Sequence, residues 1–203
     1  MAQNKSSNLM IDIDTIKRIV ALDGHELLHQ VALLLHNSFN SQCTCIVELD
    51  KLNFFAQTVS YVCEKEIRSP FCYSLAGTPC HEVSKSNQLF CLYNENVAQA
   101  FPQDSFLVDN GIEAYLGVPL RTQGGDNLGI LLSTFTDPVS QMDEKQRDEL
   151  IYYHTLFANI IVHGMRVKWL SARSESLVNQ LSHEVTHDAL TGLLNRSHLA
   201  NML

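Results

Sequence analysis

Apolar residues recur at helical spacing near the start of the chain: Ile16, Val20, Leu27, Leu28, Val31, Leu34 and Leu35 fall within Ile13–Phe39. This predicts helix over that range, with Asp23-Gly24 dividing it in two and the polar run Asn37 to Gln42 following as a turn. The pattern then changes period. Cys43–Leu49 alternates as a strand, Asp50-Lys51 turns the chain, and Asn53–Cys63 reads as the hairpin partner. Glu64 to Ser69 is a charged connection. Phe71–Leu75 is a short apolar run that stops at Ala76-Gly77-Thr78-Pro79, where Pro79 can open a helix over Cys80–Ser84. Leu89–Tyr93 is a strand candidate, and Phe101-Pro102 leads into a loop or short helix over Gln103–Asn110. Glu113–Leu120 and Leu128–Phe135 read as buried strands joined by the Gly-rich turn Arg121–Asn127. From about Asp143 a helical pattern continues to Asp188, interrupted only by Gly164.

The order helix, strands, loop-rich middle, strands, helix predicts an α/β (α+β) domain with terminal helices packed on a sheet. Its 203 residues suit one domain with connecting elements, and 45% apolar residues suffice for a core. The net charge of −8 gives a nucleic-acid role no electrostatic support. No apolar run reaches the ~18–20 residues of a membrane span. Met1 to Leu9 is polar, with no apolar signal region, so residues 1–12 are expected as a disordered tail and the protein as cytoplasmic, without membrane or nucleic-acid partners. The six cysteines, Cys43, Cys45, Cys63, Cys72, Cys80 and Cys91, show no metal-binding spacing and are expected as thiols. Cys43 and Cys45 alternate on one strand face.

Two stretches carry a resemblance. Asp188-Ala189-Leu190-Thr191-Gly192-Leu193-Leu194-Asn195-Arg196 resembles the opening motif of the GGDEF, or diguanylate cyclase, family. Asp188, Leu190, Thr191, Gly192, Leu193, Asn195 and Arg196 match its fixed positions. The segment 188–203 is therefore expected to be the truncated start of such a domain, with its signature loop and metal-binding carboxylates beyond it. The resemblance implies that a parent protein joins two GTP into cyclic di-GMP with Mg2+. This chain alone is expected to need no cofactor and to catalyse nothing. The second set is Tyr73–Cys80, Phe101–Asp104, Gly111–Leu120 and Leu128-Gly129, which in that order is similar to the GAF sensor domain. It implies a central antiparallel sheet of about six strands over residues 13–162. The N- and C-terminal helices would share one face and a ligand pocket the other. Tyr73, Cys80, His81, Tyr93, Phe101, Tyr115 and Leu132 fall in the elements that line such a pocket and are the candidates for binding an unknown small molecule.

Competing motifs fit less well. His183-Glu184-Val185-Thr186-His187 matches the zinc protease pattern H-E-x-x-H but lacks a third ligand. Gly124-Gly125-Asp126 continues as Asn127-Leu128 and reads as a hairpin turn. Cys80-His81 lies some thirty residues too early for a bilin attachment site, and Cys80 with Cys91 as a methionine sulfoxide reductase pair is a distant alternative. Residues 163–187 are read as a signalling linker. A heptad seam from Ile160 places Val167, Leu170, Leu177 and Leu181 at inward positions, with His163, Ser174 and Glu184 as polar breaks. The seam implies a homodimer through these residues. A ligand-free dimerisation scaffold is the alternative to a ligand sensor.

Overall fold

The computed structural model describes residues 11–50, 52 and 54–186, with side chains as far as Met165. Residues 1–10 of the tail expected over 1–12, the seam side chains of Val167, Leu170, Leu177 and Leu181, and the motif Asp188–Arg196 lie outside the described residues. Contacts divide the chain into two units, Met1–His163 and Gly164–Leu203.

The elements are α1 (Ile13–Val20), α2 (Gly24–Phe39), β1 (Cys43–Leu49), β2 (Phe55–Cys63), β3 (Glu66–Ile67), β4 (Cys72–Ser74), α3 (Pro79–Lys85), β5 (Cys91–Tyr93), α4 (Val97–Ala100), α5 (Ser105–Asp109), β6 (Ala114–Arg121), β7 (Asn127–Phe135) and α6 (Glu144–Thr186). Caps explain several boundaries. The Asp12 carboxylate accepts the Thr15 N–H at 2.6 Å, and the Asp143 carboxylate accepts the Gln146 N–H at 2.8 Å. Asn40 closes α2 in the left-handed conformation, and Pro79 opens α3. The Asp50 carboxylate accepts the N–H groups of Phe54 and Phe55, fixing the β1–β2 turn. Two elements depart from the sequence expectation. The charged connection after Cys63 holds β3, a two-residue edge strand, and α4 is a single turn too short to show periodicity.

All pairings are antiparallel, in the order β3-β2-β1-β7-β6-β5, with β4 also on β2. This is the mixed α/β fold with a central antiparallel sheet expected from the sequence, with seven strands. A β-bulge lies between Ile46 and Val47. Ile46 faces Ser60, but Val47 faces Thr58, so Val59 is the extra residue. Ser60 and Thr58 therefore project to opposite faces: Ser60 reaches His29 of α2 at 2.9 Å, and Thr58 turns to the other side.

The face that carries α2 and the first part of α6 holds a continuous buried hydrogen-bond chain. The Lys65 N–H donates to His36 Nε2 at 3.1 Å. His36 Nδ1 meets Ser41 Oγ at 3.0 Å, Ser41 Oγ meets Thr44 Oγ1 at 2.8 Å, and Thr44 Oγ1 meets Ser133 Oγ at 2.8 Å. Ser133 Oγ meets His154 Nε2 at 2.8 Å, and His154 Nδ1 lies 2.8 Å from the Leu150 carbonyl. The backbone groups at the two ends set every proton between them. A carbonyl only accepts, so His154 Nδ1 donates and its Nε2 accepts from Ser133; an amide N–H only donates, so His36 Nε2 accepts and its Nδ1 donates to Ser41. With both imidazoles neutral, every link has one donor and one acceptor.

Burial keeps them neutral. Desolvation depresses the His154 pKa to about 4, against a smaller opposing effect of its bond to Leu150. Desolvation, then the nearby Lys65 charge, lowers that of His36. Both histidines take up protons more readily unfolded than folded, so the unfolded state binds more protons below the ordinary value of 6.5. Their contribution is complete above about pH 6.5 and is lost as pH falls towards 4. At about 1.4 kcal/mol per pKa unit, the His154 part is on the order of 3 kcal/mol. Urea unfolding at about pH 7.5 and about pH 5 should show lower stability at the acid value. A His154→Gln variant, which cannot titrate, should have a shallower pH slope; an unchanged slope would show that His154 contributes little to it.

Candidate ligand cavity

The opposite face of the sheet is covered by shorter pieces, and they leave a cavity of ≈ 380 Å³. By the pleat, Cys43, Cys45, Leu132, Thr134, Tyr115, Thr58 and Tyr61 face it from β1, β7, β6 and β2. The remaining walls come from β4 and its following turn, from the start of α3, and from the entry to α5. Thr58 holds the β4 side in place: its N–H and hydroxyl both donate to the Phe71 carbonyl, and its hydroxyl accepts the Phe71 N–H at 2.7 Å.

Cys80 sits at the floor. The Tyr73 hydroxyl donates to its sulfur at 3.3 Å, and the Tyr115 hydroxyl lies at 3.3 Å on the other side. Burial pushes the Cys80 thiol up, outweighing these two bonds, so the thiolate needed for nucleophilic redox chemistry is disfavoured. Burial likewise raises Tyr73 and Tyr115, which therefore remain neutral hydroxyls. The ring of Tyr115 lies along its own strand over Gly117. A Cβ at Gly117 would stand 2.6 Å from the Tyr115 hydroxyl and 2.7 Å from Val83 Cγ2 of α3. Glycine there lets the tyrosine and α3 approach the sheet together.

Asp104 is the one charged side chain among the described lining residues; no Lys, Arg or His joins it. Its carboxylate caps α5 through the Leu107 N–H at 3.4 Å, and desolvation raises its pKa. Gln103 beside it closes over Gly77, whose positive φ of 76° permits the turn before α3.

Of the candidates read from the sequence, Tyr73, Cys80, Tyr115 and Leu132 meet at this cavity. Tyr93 and Phe101 stand behind it: their rings pack edge to face at 5.2 Å, and Tyr93 also packs on Tyr115 at 6.2 Å. His81 is in the first turn of α3 but is not among the lining residues. The sequence reading omits Cys43, Cys45, Thr58, Tyr61, Phe71 and Asp104. The alternation of Cys43 with Cys45 is the available signal for two of them, since it puts both on one face. The bulge at Val59, which orients Thr58, leaves no pattern in the sequence.

This geometry has counterparts among known proteins. A family scan matches the GAF domain over residues 23–185, and the chain belongs to that family. Solved structures agree on the fold at low sequence identity. The chain is similar to the A. aeolicus nlh2 GAF domain in an inactive state, with a TM-score of 0.58 at 12% identity, covering 76% of this chain and 93% of that one. It is also similar to the chromophore-binding domain of an unusual bacteriophytochrome from R. palustris, with a TM-score of 0.60 at 10% identity, covering 77% and 59%. A third likeness is to residues 122 to 287 of a methyl-accepting chemotaxis protein, with a TM-score of 0.58 at 17% identity, covering 77% and 98%. A search of curated proteins finds no match. Among the described residues no helix is long and apolar enough to cross a membrane.

Gly117→Ala should displace the Tyr115 ring or α3 and cost about 1–3 kcal/mol, as overpacking does. Tyr115→Phe removes a single hydroxyl and should cost about 0.5–1.5 kcal/mol. Thermal unfolding checks the order: a Gly117→Ala protein as stable as the parent would mean that the close approach is easily relieved.

Proposed function

We propose that this GAF domain is a sensor whose cavity binds a small molecule and whose state passes along α6 to an output domain. The observation that supports it most is the cavity itself. It is enclosed by the sheet and the loop-rich middle segment, apolar and aromatic over most of its wall, and supplied with a few hydroxyls and one carboxylate. A packed scaffold would have no use for that volume.

The lining chemistry narrows the ligand. A phosphate group would enter a space with no cationic side chain and would lie near Asp104, so its desolvation would go uncompensated. The hydroxyls of Tyr61, Thr58 and Thr134, the stacking surfaces of Phe71 and Phe106, and Asp104 suit a neutral or cationic ring-bearing molecule with N–H or O–H groups. Thermal melting against a panel of such metabolites, with cyclic GMP as the phosphate-bearing comparison, tests this. A ligand at a hundred times its Kd should add about 2.7 kcal/mol. Ala76 is exposed at the cavity rim, so Ala76→Trp should cover the opening without disturbing the core and abolish the effect. A shift that survives this variant would place binding elsewhere. Stabilisation by no member of the panel would favour the ligand-free scaffold.

The output we infer is a diguanylate cyclase, on the strength of the motif Asp188–Arg196. A cyclase that joins two GTP needs two domains face to face, which gives a dimerising helix a direct task. The seam residues Val167, Leu170, Leu177 and Leu181 supply it by sequence pattern. Replacing Leu170 and Leu177 with Glu should convert a dimer to monomer by light scattering; a dimer of unchanged mass would move the interface off this helix.

A further inference from the structure

The strand register brings together two cysteines that are far apart in the chain. Cys43, the first residue of β1, is paired directly with Cys63, the last residue of β2. Directly opposed residues of an antiparallel pair have Cα atoms roughly 4.5–5.5 Å apart, inside the span of about 4.4–6.8 Å that a disulfide bridges. They also project from the same face of the sheet. Their Cβ atoms stand roughly 4.5–5.5 Å apart, and a disulfide asks for roughly 3.5–4.5 Å. The pair sits at the start of β1 and the end of β2, and each member is also paired on its other side, Cys43 with Thr134 and Cys63 with Glu66.

We propose that Cys43 and Cys63 are a redox site that closes to a reversible disulfide at the cavity wall, with a peroxide as the oxidant. Both thiols are free. Their accessibilities differ in the useful sense: Cys63 is partly exposed, while Cys43 is 1% exposed and lines the cavity. Burial and, after it, the neighbouring Cys63 push the Cys43 thiol up to about 12. No other cysteine pair is placed this way among the described residues. Cys45 faces Tyr61 across the strands, Cys91 faces Gly117, and Cys72 faces Gln57.

The chemistry balances with one equivalent of hydrogen peroxide. The Cys63 sulfur attacks the O–O bond and becomes a sulfenic acid, releasing one water. The Cys43 sulfur then attacks the Cys63 sulfur as the S–O bond breaks, and the departing hydroxide takes the Cys43 proton as a second water. Two thiols lose two electrons and two protons, and the peroxide is reduced to two waters. The raised Cys43 pKa keeps its thiolate scarce, so this second step is the slow one and the crosslink builds up over prolonged exposure to peroxide. A low-molecular-weight thiol reverses the bond by exchange. The Cys43 sulfur now lies 3.8 Å from the Tyr61 hydroxyl, and both residues line the cavity. Drawing that sulfur towards Cys63 frees the hydroxyl, so oxidation alters the wall that a ligand meets.

The test is to treat the folded chain with hydrogen peroxide, block residual thiols with iodoacetamide, and map the non-reduced tryptic peptides by mass spectrometry. Cleavage at Lys51, Lys65 and Arg68 separates the Cys63 peptide from those of Cys43 and Cys72, and fragmentation distinguishes Cys43 from Cys45. The expected product is a Cys43–Cys63 crosslink that dithiothreitol removes completely. Cys63→Ser should abolish it, and Cys72→Ser should leave its yield unchanged. Sulfinic or sulfonic acid at Cys63 without a crosslink would overturn the proposal. So would crosslinks spread among Cys63, Cys72 and Cys91. The map of the unmodified chain decides the matter even if Cys63→Ser folds poorly.

Discussion

The hydrogen-bond chain from the Lys65 amide to the Leu150 carbonyl is the constraint around which this domain is arranged. It crosses α2, β1, β7 and α6, and every member between its backbone ends is a side chain with a single permitted proton arrangement. Buried polar groups of this kind stabilise only when all are satisfied. An added proton on His154 would put an N–H against the Ser133 hydroxyl. Reversing each link to accommodate it would end with a His36 N–H facing the Lys65 N–H. Burial holds the His154 pKa low, and the same chain of bonds seats both helices on the sheet.

The other face of the same strands has a different character. Cys43 and Cys45 alternate with Thr44, and Leu132 and Thr134 flank Ser133, so the residues that wall the cavity and those that make the buried chain share one backbone. On the helix side the members of the hydrogen-bond chain satisfy one another. On the cavity side the cover consists of one short helix, single turns and a three-residue strand, and it does not fill the space over Cys80. The two faces thus divide the work: one fixes the terminal helices, and the other leaves a chamber with hydroxyls and a carboxylate along its wall.

Much of the fold was legible because it rests on local rules. The break at Asp23-Gly24, the hairpin of β1 and β2, the proline start of α3 and the strands β6 and β7 arise from periodicity, turn residues and caps that act over a few positions. The order of the motifs around Gly77, Pro102 and Gly117 pointed to the GAF family, to which the chain belongs. The site was legible in part. Tyr73, Cys80, Tyr115 and Leu132 lie in those motifs and do meet at the cavity, while Tyr93 and Phe101 stand one layer back and His81 is not among its lining residues.

What the sequence determined by itself is therefore the order and kind of elements and which stripes of them are apolar. The tertiary structure alone decided which distant residues are opposed. The bulge that separates Ser60 from Thr58, the pairing of Cys43 with Cys63, the meeting of Thr44 with Ser133 and the seating of Asp104 in a wall without a cation all depend on register and on which strands are neighbours. Strand periodicity carries only the alternation of faces. A register shift by two residues preserves that alternation while changing every cross-strand partner, so the partners are set by packing across the sheet rather than by any pattern along the chain.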